Sequence, residues 1–221
     1  MYKVVRGVIS KDLAQFCYDY FLLKRKVVGF FRETNYLSPL DENWGVWSDG
    51  QIPNTYSVYG DFVMETLLEK LHPCMETETE LKLYPTYSYA RIYKNGDVLE
   101  RHKDRASCKV STTVNLGGDA WPIFLEPSGE CGKTGISVLL EAGDMLVYDG
   151  CKLEHWREPF EGENCGQVFL HYNDTPDNKY DTRSFLGLPP YFKGMNRWMF
   201  YIFPNAISPD ICDEIIKEGK Q

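Results

Sequence analysis

The stretch RIYKNGDVLERHKD (residues 91–104) predicts a strand, a tight turn and a second strand that carries two potential metal ligands. Asn95 and Gly96 form a dipeptide typical of a two-residue hairpin turn. After the turn, His102 and Asp104 stand at positions i and i+2, so on a strand their side chains point to the same face. One imidazole nitrogen and one carboxylate oxygen can then reach a single metal ion.

A third ligand has to come from another part of the chain. The sequence has four histidines, and His155 closes the stretch GDMLVYDGCKLEH (residues 143–155), several predicted strands after His102. Two histidines and one carboxylate occupy one face of an octahedron and leave three positions open, as in non-haem iron(II) oxygenases. The same ligands also suit manganese, cobalt or nickel. A lone HxD motif is weak, since a single histidine is more often a surface or packed residue, and His171 fits the packed interpretation.

Short apolar runs and turn residues alternate from residue 81 onward, which predicts an all-β sandwich or barrel. Two helices precede it, one capped by Ser10 and one that starts at Phe62 and ends near Pro73. A long loop is expected over residues 29–60, which are rich in Gly, Pro, Asn and Trp. The predicted strands cover residues 81–93, 98–101, 109–116, 122–126, 137–140, 145–148 and 167–172.

Composition narrows the class of protein. The formal net charge is −8, which disfavours non-specific binding to nucleic acid but does not exclude a pocket for a single base. The seven cysteines include no CxxC pair, so neither a disulfide framework nor a thiolate zinc site is expected. The N-terminal residues form no signal peptide and no stretch is long and apolar enough to span a membrane, which favours a cytoplasmic protein.

The motifs resemble those of a known family. Residues 91–104 resemble the first metal-binding strand of the prolyl 4-hydroxylase type of iron(II)- and 2-oxoglutarate-dependent dioxygenases, where a Tyr, a Gly turn and HxD follow at this spacing. Residues 143–155 resemble the Gly-Asp strand that leads to the distal histidine of that family. The resemblance covers about residues 81–172. It implies a mainly β fold with flanking α helices, built on a distorted double-stranded β-helix of the jelly-roll or cupin-like type.

The resemblance also implies the chemistry. His102, Asp104 and His155 would be the catalytic metal ligands, with Fe(II) and 2-oxoglutarate as cofactors and dioxygen as co-substrate. Decarboxylation of 2-oxoglutarate to succinate would accompany hydroxylation of a C–H bond in a peptide, a protein or an amino acid, with prolyl residues the leading candidate. Two alternatives stay open: the same chemistry on a nucleobase or small metabolite, and a cupin-like binding module without turnover.

One feature departs from the family pattern. Members bind the far carboxylate of 2-oxoglutarate with an Arg or Lys on the strand after the distal histidine, but residues 164–171 (NCGQVFLH) contain neither. Tyr93 matches the family's 2-oxoglutarate-binding Tyr, and Arg91 should share its face of the strand. Arg91, Tyr93 and Gln167 are therefore expected to bind this carboxylate. Arg105 and Arg157 are rival cations, and Arg91 could instead form a structural ion pair.

Domain organisation follows from the same motifs. Residues 1–190 are expected to form the oxygenase domain, and residues 191–221 a C-terminal extension. Residues 207–211 (ISPDI) echo residues 9–13 (ISKDL), where the first helix starts. The echo is either a common helix-capping signature or the beginning of a second, similar domain.

Overall fold

A computed structural model describes residues 2–38, 41–176 and Lys217 of the chain. The domain boundary predicted at residue 190 and the echo at residues 207–211 lie outside these residues. Among the helices of the described part, none has the length and apolar character needed to cross a bilayer.

The first helix, α1 (Lys11–Glu33), starts where the sequence predicts it. The Ser10 hydroxyl oxygen accepts a hydrogen bond from the backbone N–H of Leu13 at 3.2 Å, which caps the helix. Ala14, Cys17 and Phe21 are at most 1% exposed and fix the face that packs on the sheet.

The second helix, α2 (Phe62–Thr79), is longer than predicted. Asp61 caps its first turn by accepting hydrogen bonds from the backbone N–H groups of Val63 and Met64. The prediction that Pro73 ends this helix is wrong, because Pro73 lies inside it. Met75 is fully buried one turn beyond Leu71, so packing of the apolar stripe outweighs the hydrogen bond that proline removes.

In the described part of the chain, ten strands form two antiparallel sheets, with the orders β1-β8-β5-β10-β3-β2 and β4-β9-β6-β7. This is the mainly β, jelly-roll-like core predicted from the sequence. The strands are β1 (Tyr2–Val5), β2 (Tyr56–Tyr59), β3 (Tyr84–Lys94), β4 (Leu99–His102), β5 (Val110–Gly118), β6 (Ile123–Leu125), β7 (Ile136–Val138), β8 (Met145–Asp149), β9 (His155–Arg157) and β10 (Asn164–Asn173).

Strand alternation separates the hydrophobic core from the functional face of the larger sheet. On β3, Ala90 and Ile92 belong to the cluster that packs under both helices. Arg91 and Tyr93 therefore point to the opposite face, as predicted. In the centre of the sheet, β10 pairs with β3 on one side and with β5 on the other, which places Gln167 opposite Arg91.

The seven predicted strands leave out three short ones, namely the N-terminal strand β1 and the strands β2 and β9. The four-residue strand β2 lies within the predicted loop over residues 29–60, and α1 also extends into that range. Strand β9 has three residues and carries His155. Both are too short to show a clear alternation, and each depends on its pairing with a distant strand.

Candidate active site

The structure brings together the three residues predicted to bind a metal. His102 ends β4 and His155 begins β9, and the two are cross-strand partners. Oδ1 of Asp104 lies 3.6 Å from Nε2 of His102 and 3.5 Å from Nε2 of His155. One ligand atom from each residue lies within 4.8 Å of the others, close enough to hold one ion.

Backbone carbonyls set the orientation of both imidazoles. Nδ1 of His102 lies 2.7 Å from the carbonyl oxygen of Glu100, and Nδ1 of His155 lies 3.1 Å from that of Leu153. A carbonyl oxygen only accepts hydrogen bonds, so Nδ1 carries the hydrogen, and each Nε2 keeps its lone pair and faces Asp104. This tautomer is the one a metal ligand needs.

The third ligand is held from two sides and remains charged. Oδ2 of Asp104 accepts a hydrogen bond from the Ser111 hydroxyl at 2.8 Å, and its backbone N–H donates to the Gly150 carbonyl at 2.8 Å. Burial raises the pKa of Asp104, but the adjacent imidazoles of His102 and His155 lower it by more, so the net pKa lies well below its usual range. Burial lowers the pKa of His102, yet Asp104 and the Glu100 carbonyl raise it overall. Two imidazoles and a carboxylate suit iron(II) and other first-row divalent metals.

A cavity of about 350 Å³ opens beside the triad. It is deep enough to hold a small organic acid next to a bound metal, and it lies within the usual range for small-molecule sites. Its walls combine aromatic rings with charged groups from β3 and from the loop that precedes β2. Besides the triad, the residues that line the cavity include Asp49, Gln51, Tyr87, Tyr89, Arg91, Tyr93, Leu99, Tyr148 and Phe169.

Arg91 and Tyr93 both line the cavity, as their shared strand face predicts. Arg91 also forms a structural ion pair: its Nη2 lies 2.9 Å from Oδ2 of Asp49. Its Nη1 donates to Oε1 of Gln51 at 3.1 Å and to the Tyr93 hydroxyl at 3.3 Å. Sequence reasoning missed Asp49 and Gln51. Burial of Arg91 calls for an anionic partner, but the sequence does not show which acidic residue provides it.

The remaining predicted residues lie at different depths. Gln167 is buried beside Arg91, but its amide binds Thr113 and Asn115 at 3.0 and 3.2 Å, and it does not belong to the described cavity lining. Arg105 lines the cavity, with its guanidinium 5.1 Å from the ring centre of Tyr87.

His171 is a buried residue of the same face, consistent with the packed interpretation. Its Nδ1 lies 3.0 Å from the Ser111 hydroxyl oxygen, which in turn donates to Asp104. Its ligand atom also groups with those of Asp104 and Cys108. Ser111 thus links His171 to Asp104 of the triad, and His171 supports the orientation of Ser111.

Comparisons with known proteins identify the fold. No family model and no curated protein sequence matches the chain. A prolyl-4-hydroxylase from Pseudomonas putida is similar in structure, with 15% identity, a TM-score of 0.53 and coverage of 79% of this chain and 92% of that chain. HygX from Streptomyces hygroscopicus, solved with nickel and 2-oxoglutarate bound, has 15% identity, a TM-score of 0.55 and coverage of 81% and 85%.

A viral collagen prolyl hydroxylase from Paramecium bursaria Chlorella virus 1, solved as a 2-oxoglutarate complex, has 11% identity, a TM-score of 0.53 and coverage of 79% and 96%. Of these three structural neighbours, two are prolyl hydroxylases and two were solved with 2-oxoglutarate. The predicted prolyl-4-hydroxylase-like fold is therefore confirmed.

Proposed function

We propose that this chain is an iron(II)- and 2-oxoglutarate-dependent dioxygenase that hydroxylates a C–H bond of a peptide, protein or amino-acid substrate. The observation that carries the proposal is the convergence of His102, Asp104 and His155 on one point at the wall of a cavity, within the fold of such enzymes. Iron(II) held there, together with 2-oxoglutarate and dioxygen, would supply the decarboxylation to succinate and the hydroxylation.

The protein's own contribution begins with preorganisation. The carbonyls of Glu100 and Leu153 aim both imidazoles, and Ser111 holds the second oxygen of the Asp104 carboxylate. The ionised carboxylate balances one of the two charges of a divalent metal. Three protein ligands leave the other coordination positions to small molecules that enter the cavity.

The wall of the cavity formed by β3 supplies groups that fit a dicarboxylic acid. Tyr93 offers a hydroxyl and Arg91 a guanidinium, and Gln167 lies next to Arg91 on β10. These are the three residues that the sequence predicts for the 2-oxoglutarate pocket. Asp49 already balances the charge of Arg91, so the far carboxylate requires either release of Asp49 or another cation.

Aromatic rings on β3, on the same strand face as Arg91 and Tyr93, favour a peptide substrate. The rings of Tyr59 and Tyr87 stack with centroids 4.4 Å apart, and Tyr89 packs edge-on against Tyr59. Such a surface packs well against a pyrrolidine ring or another apolar side chain. The similarity to two prolyl hydroxylases supports the same substrate class.

A small polar molecule is the second candidate substrate. HygX, which has the same fold, was solved with hygromycin B bound beside nickel and 2-oxoglutarate. The charged cavity residues Asp49 and Arg105 would suit hydroxyl and amino groups. The net charge of −8 makes nucleic acid the least favoured substrate.

The six cysteines of the described residues are free thiols, which agrees with a cytoplasmic location.

Anaerobic absorbance tests the proposal. Iron(II) followed by 2-oxoglutarate is expected to produce a weak visible band that requires both components. His102→Ala should abolish the band, whereas His72→Ala should leave it intact, because His72 lies on α2 and binds the carbonyl of Leu83. A protein that binds iron without a 2-oxoglutarate-dependent band would favour a binding module or another co-substrate.

Turnover then separates the substrate classes. Succinate release in air should rise when the correct substrate is added, so proline-containing peptides, free amino acids and small polar metabolites can be compared by this stimulation. Stimulation by a metabolite and not by peptides would favour the second candidate.

A further inference from the structure

Arg157 is a second buried guanidinium near the cavity, and it lacks the carboxylate partner that Arg91 has. Its side chain is among the largest fully buried ones, at 1% exposure. Nη1 donates to the backbone carbonyl of Trp121, and Nε has no hydrogen-bond partner. Within residues 2–38 and 41–176, no carboxylate lies at ion-pair distance from the Arg157 guanidinium. A buried cation without a counterion is costly, so the site is suited to an anion.

The position of Arg157 relates it to the candidate active site. It follows His155 by two residues on β9, so both side chains point to the same face. Its cross-strand partner is Leu99, which lines the cavity. The Trp121 ring, 4.9 Å from the Arg157 guanidinium, also lies 4.7 Å from the ring of Tyr93.

The charge of Arg157 reaches two further groups. Burial raises the pKa of Tyr148 and of Cys165, and Arg157 acts against this rise in both. Tyr148 lines the cavity, and Cys165 lies on β10, which carries no Lys or Arg. The guanidinium on β9 thus lies close to this strand of the other sheet.

Arg91 differs from Arg157 in its electrostatic balance. Asp49 lies 2.9 Å from Arg91 and neutralises it, and Gln51 and Tyr93 bind its other nitrogen. A dianion placed beside Arg91 would also meet the Asp49 carboxylate. A dianion beside Arg157 would meet an uncompensated cation, whereas an unpartnered Nε–H is common to both arginines.

We propose that Arg157, rather than Arg91, provides the positive charge for the far carboxylate of the 2-oxo acid. This inference rests on the proposed function, which brings 2-oxoglutarate to the cavity. Contact requires side-chain shifts at the wall near Leu99, of the kind that commonly accompanies binding. Arg91 then stays paired with Asp49 and keeps the loop around Gln51 over the cavity.

Calorimetric titration of the nickel(II)-loaded protein tests this without turnover. The two probes are 2-oxoglutarate and 2-oxopentanoate, in which a methyl group replaces the far carboxylate. Wild type should prefer 2-oxoglutarate by about tenfold or more, the size of a charge-assisted hydrogen bond. Arg157→Met should remove this preference and leave 2-oxopentanoate binding unchanged. The matched variant Arg91→Met should keep the preference.

The variants also report on folding. Replacing an unpaired buried cation by methionine is expected to leave the ligand-free thermal midpoint unchanged or higher. If Arg157→Met nevertheless fails to fold, the same calorimetric titration of Arg157→Lys tests the inference instead. A severalfold smaller preference then supports the inference, because lysine cannot reproduce the two-donor fork of arginine, and an unchanged preference overturns it.

Other outcomes separate this inference from the proposed function. If Arg157→Met keeps the preference, or Arg91→Met loses it, the assignment to Arg157 is wrong while 2-oxoglutarate binding stands. If wild type binds neither acid in the presence of nickel(II), the proposed function fails and this inference fails with it.

Discussion

The side-chain Nε2 of Gln51 lies 3.1 Å from Nε2 of His102. Because Nδ1 of His102 donates to the Glu100 carbonyl, Nε2 is the acceptor in this contact. Gln51 therefore occupies the lone pair with which His102 would bind a metal. Arg91 holds Gln51 in this place through its side-chain oxygen.

Removing this contact should strengthen metal binding. Gln51→Ala frees the lone pair of His102, and a hydrogen bond has a net value of about 0.5–1.5 kcal/mol. We expect nickel(II) affinity to rise by up to about tenfold in a calorimetric titration. The control Gln15→Ala removes an exposed contact with Asp19 and should change nothing. Weaker nickel binding by Gln51→Ala would instead identify Gln51 as a ligand.

A methyl group at Gly150 should displace the carboxylate ligand. A Cβ there would lie 2.7 Å from both the Ser111 hydroxyl oxygen and the Cys108 carbonyl oxygen, and it would also collide with the Asp104 carboxylate. We expect Gly150→Ala to lower nickel(II) affinity at least tenfold, roughly the effect of losing a supporting group around a metal. In Gly29→Ala the new Cβ meets the Trp47 ring at an ordinary 3.9 Å, and metal affinity should stay at the wild-type value.

The ion pair between Arg91 and Asp49 should show strong coupling in stability. Asp49→Ala leaves a buried guanidinium without its anion, and we expect a loss of about 3 kcal/mol in the free energy of unfolding. The double variant Asp49→Ala/Arg91→Met removes the stranded charge and should recover part of this loss. Urea denaturation of the four proteins measures the coupling. Equal costs of Asp49→Ala in both backgrounds would show that the pair contributes nothing.

Acid sensitivity should depend on Glu154. A hydrogen bond from the Gly132 N–H, together with Arg101, lowers its pKa from 4.5 to about 2. The folded state therefore favours the ionised form, so this contribution is complete above pH 4.5 and disappears as the pH falls towards 2. The thermal midpoint of Glu154→Gln should therefore depend less on pH than that of wild type over this range.

The matched control for acid sensitivity is Glu130→Gln. Glu130 pairs with Lys133 at the surface, where 62% and 56% of the side chains are exposed, so its loss should leave the pH profile unchanged. An identical slope in wild type and Glu154→Gln would contradict the role of Glu154.

Local patterns predicted the features of the site that depend on a single strand. His102 and Asp104 share a face because strand side chains alternate, and Arg91 and Tyr93 share one for the same reason. The structure places His155 opposite His102, which the resemblance implied and spacing alone could not establish.

Contacts between distant segments were beyond local patterns. Nothing in the sequence around Asp49 and Gln51 marks them as neighbours of Arg91, because that proximity depends on how the loop crosses the sheet. The continuation of α2 past Pro73 depends on the burial of Met75, which is a tertiary effect. The same applies to Arg157, whose significance comes from burial without a carboxylate partner among residues 2–38 and 41–176.

The carbonyls that hold the two imidazoles have a consequence for how the protein acquires its metal. The hydrogen bonds that orient both rings come from the Glu100 and Leu153 carbonyls of the protein itself, so the ordering entropy of the ligands is lost during folding and not during metal capture. Metal loading is then a late, separable step. A chelator should remove the ion while the chain stays folded. The protein without metal should then bind the ion again without unfolding.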